Sequence, residues 1–236
     1  FAVGMVLLAT TTLLPPFLQG LLGYPILDIG LVLAPRGAGT MVAMIAVGRI
    51  GDRIDPRLLI ALGLLLTAGS LHHMVGFDAD VGAGAIAWTG VVQGLGIGFV
   101  FPPLTAIAFA SLPPALRNDA AGLFSLVRNL GSSVGISMVV TMLSRATQAN
   151  HAQLAERIDP TGLALRLAIE SGAWQLDSPE GLAGVHAEVL RQATLLAFLQ
   201  DFRLMTWVSL AALPLLLLMR RPAPVVHAAA RPTAPD

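Results

Sequence analysis

The sequence contains no cysteine and no lysine, and it has few charged residues of either sign. The absence of cysteine excludes disulfides, thiolate metal sites and a cysteine nucleophile. Charged residues make up 12% of the chain, about half the share usual in soluble proteins, whereas hydrophobic residues make up 55%. Fourteen arginines balance fourteen acidic residues. This neutral balance gives no reason to expect nucleic acid as a partner, because such a partner needs a clustered basic surface.

The charges are clustered, and the long uncharged runs between them predict membrane-spanning helices. Runs such as 1–27, 58–77 and 81–116 are each long enough to cross about 30 Å of hydrocarbon. A soluble core cannot hide this much apolar surface, so we expect an all-α integral membrane protein, with a transmembrane domain over residues 1–221 and lipid as a partner. The six predicted spans are 1–22, 29–48, 58–77, 83–111, 120–144 and 203–219.

Arginine in the short loops sets the expected orientation. Arginines follow the second, fourth and sixth spans, whereas the alternate short loops, 23–28 and 78–82, contain none. By the positive-inside rule, the arginine-bearing loops and both ends are predicted to be cytoplasmic, in a multi-pass protein of the plasma (inner) membrane. Residues 222–236 are rich in proline and alanine and are predicted to form a disordered cytoplasmic tail. The arginines concerned are Arg49, Arg53, Arg57, Arg117, Arg220 and Arg221.

Residues 145–200 form a long segment that this topology assigns to the external side. Its second part is predicted to be helical and able to run on into the last span, because Ser178, Pro179 and Glu180 combine an N-cap with proline at the first helical position. Three spans, a short loop and three more spans are compatible with the inverted three-plus-three repeat of secondary transporters, although no clear residue-level repeat is evident. Phe1 begins within an apolar run without a basic segment or cleavage site, so it does not start a signal peptide and a truncated start is expected.

Polar residues of the fifth span gather on one helical face. Ser125, Arg128, Asn129 and Ser132 recur at helical spacing, opposite an apolar face. An arginine within the membrane costs roughly 2.5–3.5 kcal/mol on insertion scales, so Arg128 is expected to face a cavity or the bundle interior. Asn129 is predicted to join it in a substrate cavity. The alternative is a structural arginine that bonds neighbouring carbonyl groups.

The second span contains a similar arginine, Arg36. Gly39, Thr40 and Ala43 follow it at helical spacing and form a small-residue face. Arg36 is therefore a second candidate for the cavity. Because it lies about eight residues, or roughly 12 Å along a helix, from Asp28, snorkelling to the external interface is an equally open alternative.

The fourth span combines Gln93 with Gly94 and Gly98, followed by Pro102 and Pro103. The glycines predict close helix packing, and the prolines predict a helix break after it. Gln93 is the member of this set that we expect to line a solute path.

Gln19 is the corresponding candidate in the first span. It shares a helical face with Thr12 and with the prolines at 15 and 16. A broken helix with polar side chains is what a binding site at the membrane midplane uses.

No carboxylate is predicted to lie inside a span. Every acidic residue lies in a loop or at a span end, Asp201 included. Proton coupling usually needs an intramembrane carboxylate or histidine, and His72 with His73 is expected to be an interfacial pair at an outer helix end. A proton carrier, if the protein uses one, is therefore expected outside this chain.

The loop after the second span has the order Gly48, three residues, Asp52 and Arg53, three residues, Arg57. This order resembles the loop signature of the major facilitator superfamily. In that family the aspartate accepts bonds at a helix end, pairs with arginine and holds the cytoplasmic side closed. Where the family often has glycine and a basic residue, this chain has aspartate and proline at 55 and 56. An ordinary solvated charged turn is the alternative.

Further stretches resemble the fourteen-span drug exporters of the EmrB/QacA type, as does the long segment before the last span. On this resemblance the chain is the C-terminal six-helix domain, spans nine to fourteen, and the N-terminal half is missing. The stretches are Leu14-Pro-Pro-Phe-Leu-Gln19, Gly23-Tyr24 ahead of Gly30-Leu-Val-Leu-Ala-Pro35, Phe101-Pro-Pro-Leu-Thr105 and Arg128-Asn-Leu-Gly-Ser-Ser-Val-Gly135.

The resemblance implies proton-coupled export of amphipathic or cationic compounds by alternating access, with a small amphipathic substrate in a cavity between two six-helix domains. It implies no cofactor beyond the proton gradient, and a coupling carboxylate in the missing half. A periplasmic adaptor protein that binds segment 145–200 is a further candidate partner. On this template the first, second, fourth and fifth spans face the cavity, and they contain Gln19, Arg36, Gln93, Arg128 and Asn129.

Other functions stay open at this point. An exporter dedicated to one metabolite is favoured by a cluster of fixed polar contacts, whereas a broad apolar cavity argues against it. A non-transporting membrane subunit uses its polar helix faces to pack against another chain. A membrane enzyme is disfavoured, because the sequence shows no nucleophile with a base and no metal-binding cluster near the bilayer.

Overall fold

The computed structural model describes residues 1–51, 53–110, 112–156 and 179–218, and this part of the chain is helical without a strand. Six of its helices are long and apolar enough to cross a membrane, which confirms the predicted all-α membrane fold. The elements are α1 (Ala2–Pro16) with a π-helical turn (Phe17–Leu21), α2 (Ile26–Ile50), α3 (Pro56–Met74), α4 (Ala83–Ala110), a 3-10 turn (Pro114–Leu116), α5 (Arg117–Glu156), α6 (Pro179–Ala211) and the short α7 (Leu215–Leu218).

Helices α2, α3 and α4 begin and end within a few residues of the predicted spans. The loop between α2 and α3 is short because Asp55 caps α3, its carboxylate accepting a hydrogen bond of 3.0 Å from the backbone N–H of Arg57. Pro56 follows at the first helical position, where its missing N–H costs nothing. The predicted tail, 222–236, and the middle of the predicted external segment lie outside the described residues.

Helices α5 and α6 are longer than the spans predicted for them. Helix α5 continues past 144 to Glu156, and α6 begins at Pro179 and runs without a break through 203. Their polar ends pair with each other, since the side-chain amide of Asn150 donates to the carbonyl of Ala193 over 3.3 Å and accepts from Gln200 over 3.4 Å. At about 1.5 Å per residue, 40 residues of α5 extend well beyond a hydrocarbon layer of about 30 Å.

The prolines do not break the helices in the way that the sequence predicted. Pro102 and Pro103 lie inside a continuous α4, so the predicted break in that span is wrong. Proline is tolerated inside membrane helices where neighbouring helices support the backbone, and Pro103 is buried against the bundle. Pro15 and Pro16 end α1, and the helix continues as a π-helical turn, the kind of local defect that accommodates such a change.

An aromatic cluster at the end of the first span joins three elements. The ring of Phe17 stacks on Phe77 at 6.3 Å and meets Phe198 and Phe202 of α6 edge-on at 5.4 and 5.8 Å. Edge-to-face aromatic contacts are favourable beyond the area that they bury. This cluster connects the end of the first span to α6 and to the loop that follows α3. Helix α2 packs on α4, and α5 packs on α1.

Candidate functional site

The two arginines of the apolar helices lie at helix crossings made close by glycine. At the α2–α4 crossing, the carbonyl of Arg36 lies against Gly94, so near that a side-chain carbon on the glycine has no room. A Cβ atom on Gly98 would likewise lie only 2.5 Å from the Cβ of Ala43. The predicted packing role of Gly94 and Gly98 is therefore confirmed. The hydroxyl of Thr40 donates to the Arg36 carbonyl over 3.0 Å.

The α1–α5 crossing is built in the same way. The carbonyl of Arg128 lies against Gly4, and the carbonyl of Met5 lies 2.6 Å from a Cβ placed on Gly135. The hydroxyl of Ser132 donates to the carbonyls of Gly4 and Arg128, over 3.2 and 2.9 Å. Part of the predicted polar face of the fifth span thus packs against α1, because the small residues at this crossing allow the two helices to approach closely.

A small cavity lies where α1, α2, α3 and α4 meet, and it brings together two of the predicted site residues, Arg36 and Gln93. Its volume is about 20 Å³, which is room for one water molecule. The rest of the lining is apolar apart from one hydroxyl. These residues are Val3, Val6, Leu7, Leu64, Thr67, Ile97 and Val100.

Two polar side chains of this cavity, Arg36 and Gln93, have no hydrogen-bond partner in the described part of the chain, whereas the hydroxyl of Thr67 donates to the carbonyl of Gly63 over 2.9 Å. Gln93 is only 1% exposed, and neither its amide nitrogen nor its amide oxygen makes a hydrogen bond there. The half-buried guanidinium of Arg36 has no hydrogen bond and no salt bridge to a described residue. Buried polar groups are usually hydrogen-bonded, so an unpartnered amide beside an unpartnered cation indicates a place for a ligand, a water or another part of the protein.

Arg128 and Asn129 lie elsewhere. The Arg128 guanidinium carbon lies 5.9 Å from the ring centroid of Phe101 in α4, within the range of a cation–π interaction. Asn129 is exposed, and its carbonyl accepts a hydrogen bond from Ser133. Gln19 is exposed in the π-helical turn at the end of the first span. None of these three lines the Arg36–Gln93 cavity.

The loop residues have different surroundings. Gly48 is exposed on the last turns of α2, and Arg53 is exposed in the turn that follows. The Nε atom of Arg57 is buried and has no hydrogen-bond partner in the described residues. Asp52 lies outside the described residues.

The sequence analysis missed Asp201. The residue was predicted at the end of the last span, but it lies within the continuous helix α6 and is 1% exposed. Its two carboxylate oxygens have no hydrogen-bond partner in the described part of the chain, and neighbouring Phe198 and Phe202 belong to the apolar core. The prediction that no carboxylate lies inside a span is therefore wrong for Asp201, which is buried within the continuous helix α6. A hydropathy window that extends across the charged Asp201, back to the helix N-cap signal near Pro179, places this residue inside the helix.

Comparisons with known proteins agree with this architecture. The family model of the Major Facilitator Superfamily matches residues 1–136. The chain is 35% identical over 156 residues to the fatty acid resistance protein FarB of Neisseria gonorrhoeae and 31% identical over 157 residues to the multidrug export protein EmrB of Escherichia coli K12. Each match covers 66% of this chain and 31% of the relative.

A more distant relative is the lincomycin resistance protein LmrB of Listeria monocytogenes, 27% identical over 156 residues, which are 66% of this chain and 33% of that protein. The matched region spans about a third of the length of these relatives. Since the family model covers more than half of the chain and all six predicted spans have a helical counterpart, the chain belongs to the Major Facilitator Superfamily.

Proposed function

We propose that the complete protein exports small amphipathic compounds across the plasma (inner) membrane by alternating access, driven by a proton gradient. The observation that carries this proposal is the Arg36–Gln93 cavity, in which two polar side chains lie in an otherwise largely apolar lining, between four helices that are long and apolar enough to span a membrane. The named relatives are a fatty acid resistance protein, a multidrug export protein and a lincomycin resistance protein. Family membership supports transport rather than enzymatic catalysis.

In this proposal the chain supplies the C-terminal six-helix domain, and the missing N-terminal half supplies the opposite wall of a central cavity. Both ends of the chain are cytoplasmic, as the arginine-bearing loops indicate. The Arg36–Gln93 cavity opens to the substrate when the two domains part. An adaptor protein in the periplasm is a further partner to test, through segment 145–200.

The loop between α2 and α3 controls the cytoplasmic side. Asp52 with Arg53 and Arg57 stabilises the state that is closed to the cytoplasm. The buried Nε atom of Arg57, which has no partner among the described residues, supports a need for an acidic partner near this loop.

Proton coupling belongs to the missing half in this proposal. The described cavity is lined by an arginine and an amide and contains no acidic residue. Asp201, the buried carboxyl group of α6, lies outside that cavity. A carboxylate that exchanges protons with water during transport is therefore expected in the domain that faces this one.

A second candidate is an exporter dedicated to one metabolite. The specific observation in its favour is the pair of fixed polar side chains in a cavity of about 20 Å³, because such contacts select a particular head group. The apolar remainder of the lining favours amphipathic compounds. Substrate breadth separates the two functions.

The test uses the complete native polypeptide, reconstituted in lipid vesicles. An imposed proton gradient should drive movement of a fluorescent amphipathic compound, and a protonophore should abolish that movement. Two probes of opposite charge are used, together with a panel of unrelated amphipathic compounds. Transport of several compounds supports drug export, transport of a single compound supports the dedicated exporter, and no movement by a folded protein contradicts the proposal.

A further inference from the structure

Two histidines meet where helices α5 and α6 extend beyond the predicted spans. His151 lies in α5 and His186 in α6, 35 positions further along the chain. The Nε2 atom of His151 and the Nδ1 atom of His186 are 3.4 Å apart. The ring centroids are 5.0 Å apart, and the ring planes meet at 72°. Sequence spacing could not predict this pair, because the neighbour of each histidine lies on another helix.

Polar contacts beside the pair fix the two helices against each other. The side-chain amide of Asn150, next to His151, donates to the carbonyl of Ala193 over 3.3 Å and accepts from Gln200 over 3.4 Å. Asn150 is buried, whereas His151 is half-buried and His186 is exposed. The two imidazole rings are therefore held close together by independent packing and stay open to solvent, so a ligand does not have to bring the helices together before it binds.

The geometry of the two rings fits a shared metal ion better than a direct hydrogen bond. Hydrogen bonds from N–H groups usually span about 2.7–3.2 Å between the heavy atoms, and this contact is longer. Two imidazole nitrogens that each lie about 2.0–2.1 Å from a tetrahedral Zn²⁺ are about 3.4 Å apart, with ring centroids about 5 Å apart. Rings that point straight at each other across the same nitrogen separation have more distant centroids.

We propose that His151 and His186 form a binding site for a divalent transition-metal ion, with Zn²⁺ as the probe. Imidazole nitrogen suits Zn²⁺, Cu²⁺ and Ni²⁺, whereas Mg²⁺ and Ca²⁺ prefer oxygen ligands. The bound ion takes a lone pair from each ring and cross-links α5 to α6. This inference is independent of the proposed function, because it requires neither transport nor a particular substrate.

The chain supplies two ligands, and water or small anions complete the coordination of the metal. Among the described residues, no three histidine or acidic side chains are placed to hold one ion. Glu188 follows His186 by two positions, but its carboxylate already accepts hydrogen bonds from Arg191 at 2.8 Å and from Gln192 at 2.9 Å. We therefore expect weaker binding than at a structural zinc site with four protein ligands.

The experiment measures Zn²⁺ binding to the purified complete protein by titration calorimetry, with a preparation that has no polyhistidine tag. His151→Gln and His186→Gln should each weaken binding by about tenfold or more, since loss of a group that only orients a metal ligand already costs about 10–100-fold. His72→Gln is the matched control, because His72 is exposed at the end of α3, and it should bind Zn²⁺ as the wild type does.

Thermal unfolding gives a second measurement on the same four proteins. An ion that binds the folded state raises the unfolding temperature, so Zn²⁺ should stabilise the wild type and His72→Gln, and Mg²⁺ should have no effect. The two variants of the pair should lose the stabilisation by Zn²⁺. With a chelator present, all four proteins should unfold at nearly the same temperature, because surface substitutions usually have small effects on stability.

Three results overturn the inference. If the wild type binds no Zn²⁺, the two histidines make only a side-chain contact. If both variants of the pair bind Zn²⁺ as tightly as the wild type does, the ion lies elsewhere in the complete protein. If only one of the two substitutions weakens binding, the ion is not shared between α5 and α6.

Discussion

The carbonyl oxygen of Arg36 lies against Gly94 more closely than any side chain at that glycine allows. The contact brings the α2 backbone onto α4, where Arg36 and Gln93 line the same cavity. In lipid, where apolar surface gives no drive for helices to associate, such close backbone packing is a main source of affinity between helices. The geometry of the cavity therefore depends on this glycine.

Gly94→Ala is expected to destabilise the complete protein by roughly 1–3 kcal/mol or more, the range for overpacking, because the colliding group is backbone and cannot rotate away. The measurement is thermal unfolding of the detergent-solubilised protein. Gly84→Ala on the same helix is the control, since a side-chain carbon there meets nothing within 4 Å. Equal stability of the two variants contradicts the tight crossing.

The two crossings also reveal a repeat that the sequence analysis did not find. Arg36 is followed by glycine at the third position and a hydroxyl at the fourth, and Arg128 is followed by Gly131 and Ser132. A three-plus-three repeat matches α1 with α4, α2 with α5 and α3 with α6. Under this match, the α2–α4 crossing corresponds to the α5–α1 crossing, and both crossings are present. Only these few positions match between the two halves, and the residues around them are apolar. The repeat can therefore be recognised only when the helix contacts are known.

Arg128→Ala is expected to lower the transport rate or alter the range of substrates, while the protein still accumulates in the membrane. Its guanidinium lies over the ring of Phe101 in α4, so Phe101→Leu should cause part of the same loss. The double variant should show a coupling of at least about 0.5–1 kcal/mol in the rate, because both residues of this cation–π pair are half-buried. If the effects of the two single substitutions on the rate simply add in the double variant, the contact has no functional role. If Arg128→Ala no longer accumulates in the membrane, the role of Arg128 is structural.

Hydropathy and helical spacing were sufficient for the membrane fold and for nominating Arg36 and Gln93 as candidate residues. They could not predict that these two side chains line one cavity, because periodicity within one helix does not say which helices are neighbours. The same limit applies to Arg128, whose partner Phe101 lies on another helix. Asp201 was missed because a hydropathy window ends at a charge, whereas α6 continues through it, joined to α5 through Asn150.

The two aspartates of the loop between α2 and α3 should have separable roles. Asp52→Asn is expected to slow transport more than it weakens substrate binding, because in the proposed gating role it removes a charge that stabilises the cytoplasm-closed state. Asp55→Ala should instead cost about 1 kcal/mol of stability, because it removes the N-cap of α3. Transport rate, substrate affinity and thermal unfolding are measured for both. Unchanged turnover with lost binding in Asp52→Asn contradicts the gating role.

Asp201→Asn tests whether the buried carboxyl group of α6 couples transport to protons. The side chain is closed to solvent beside Phe198 and Phe202, and it lies outside the Arg36–Gln93 cavity. Because asparagine has nearly the same shape and cannot ionise, the variant keeps the packing and removes a charge that is costly to bury. We therefore expect an unfolding temperature equal to or above that of the wild type, and unchanged proton-driven transport.

The control for this variant is Asp80→Asn, because Asp80 is exposed in the loop before α4 and surface substitutions of this kind usually change stability by less than about 0.5 kcal/mol. The decisive measurement is substrate movement in vesicles with an imposed proton gradient, compared with substrate exchange in the absence of a gradient. If Asp201→Asn retains exchange and loses gradient-driven transport, the coupling carboxylate lies in this domain and the expectation that it belongs to the missing half is wrong. If both activities persist, Asp201 is a buried structural residue and coupling must be sought in the facing domain.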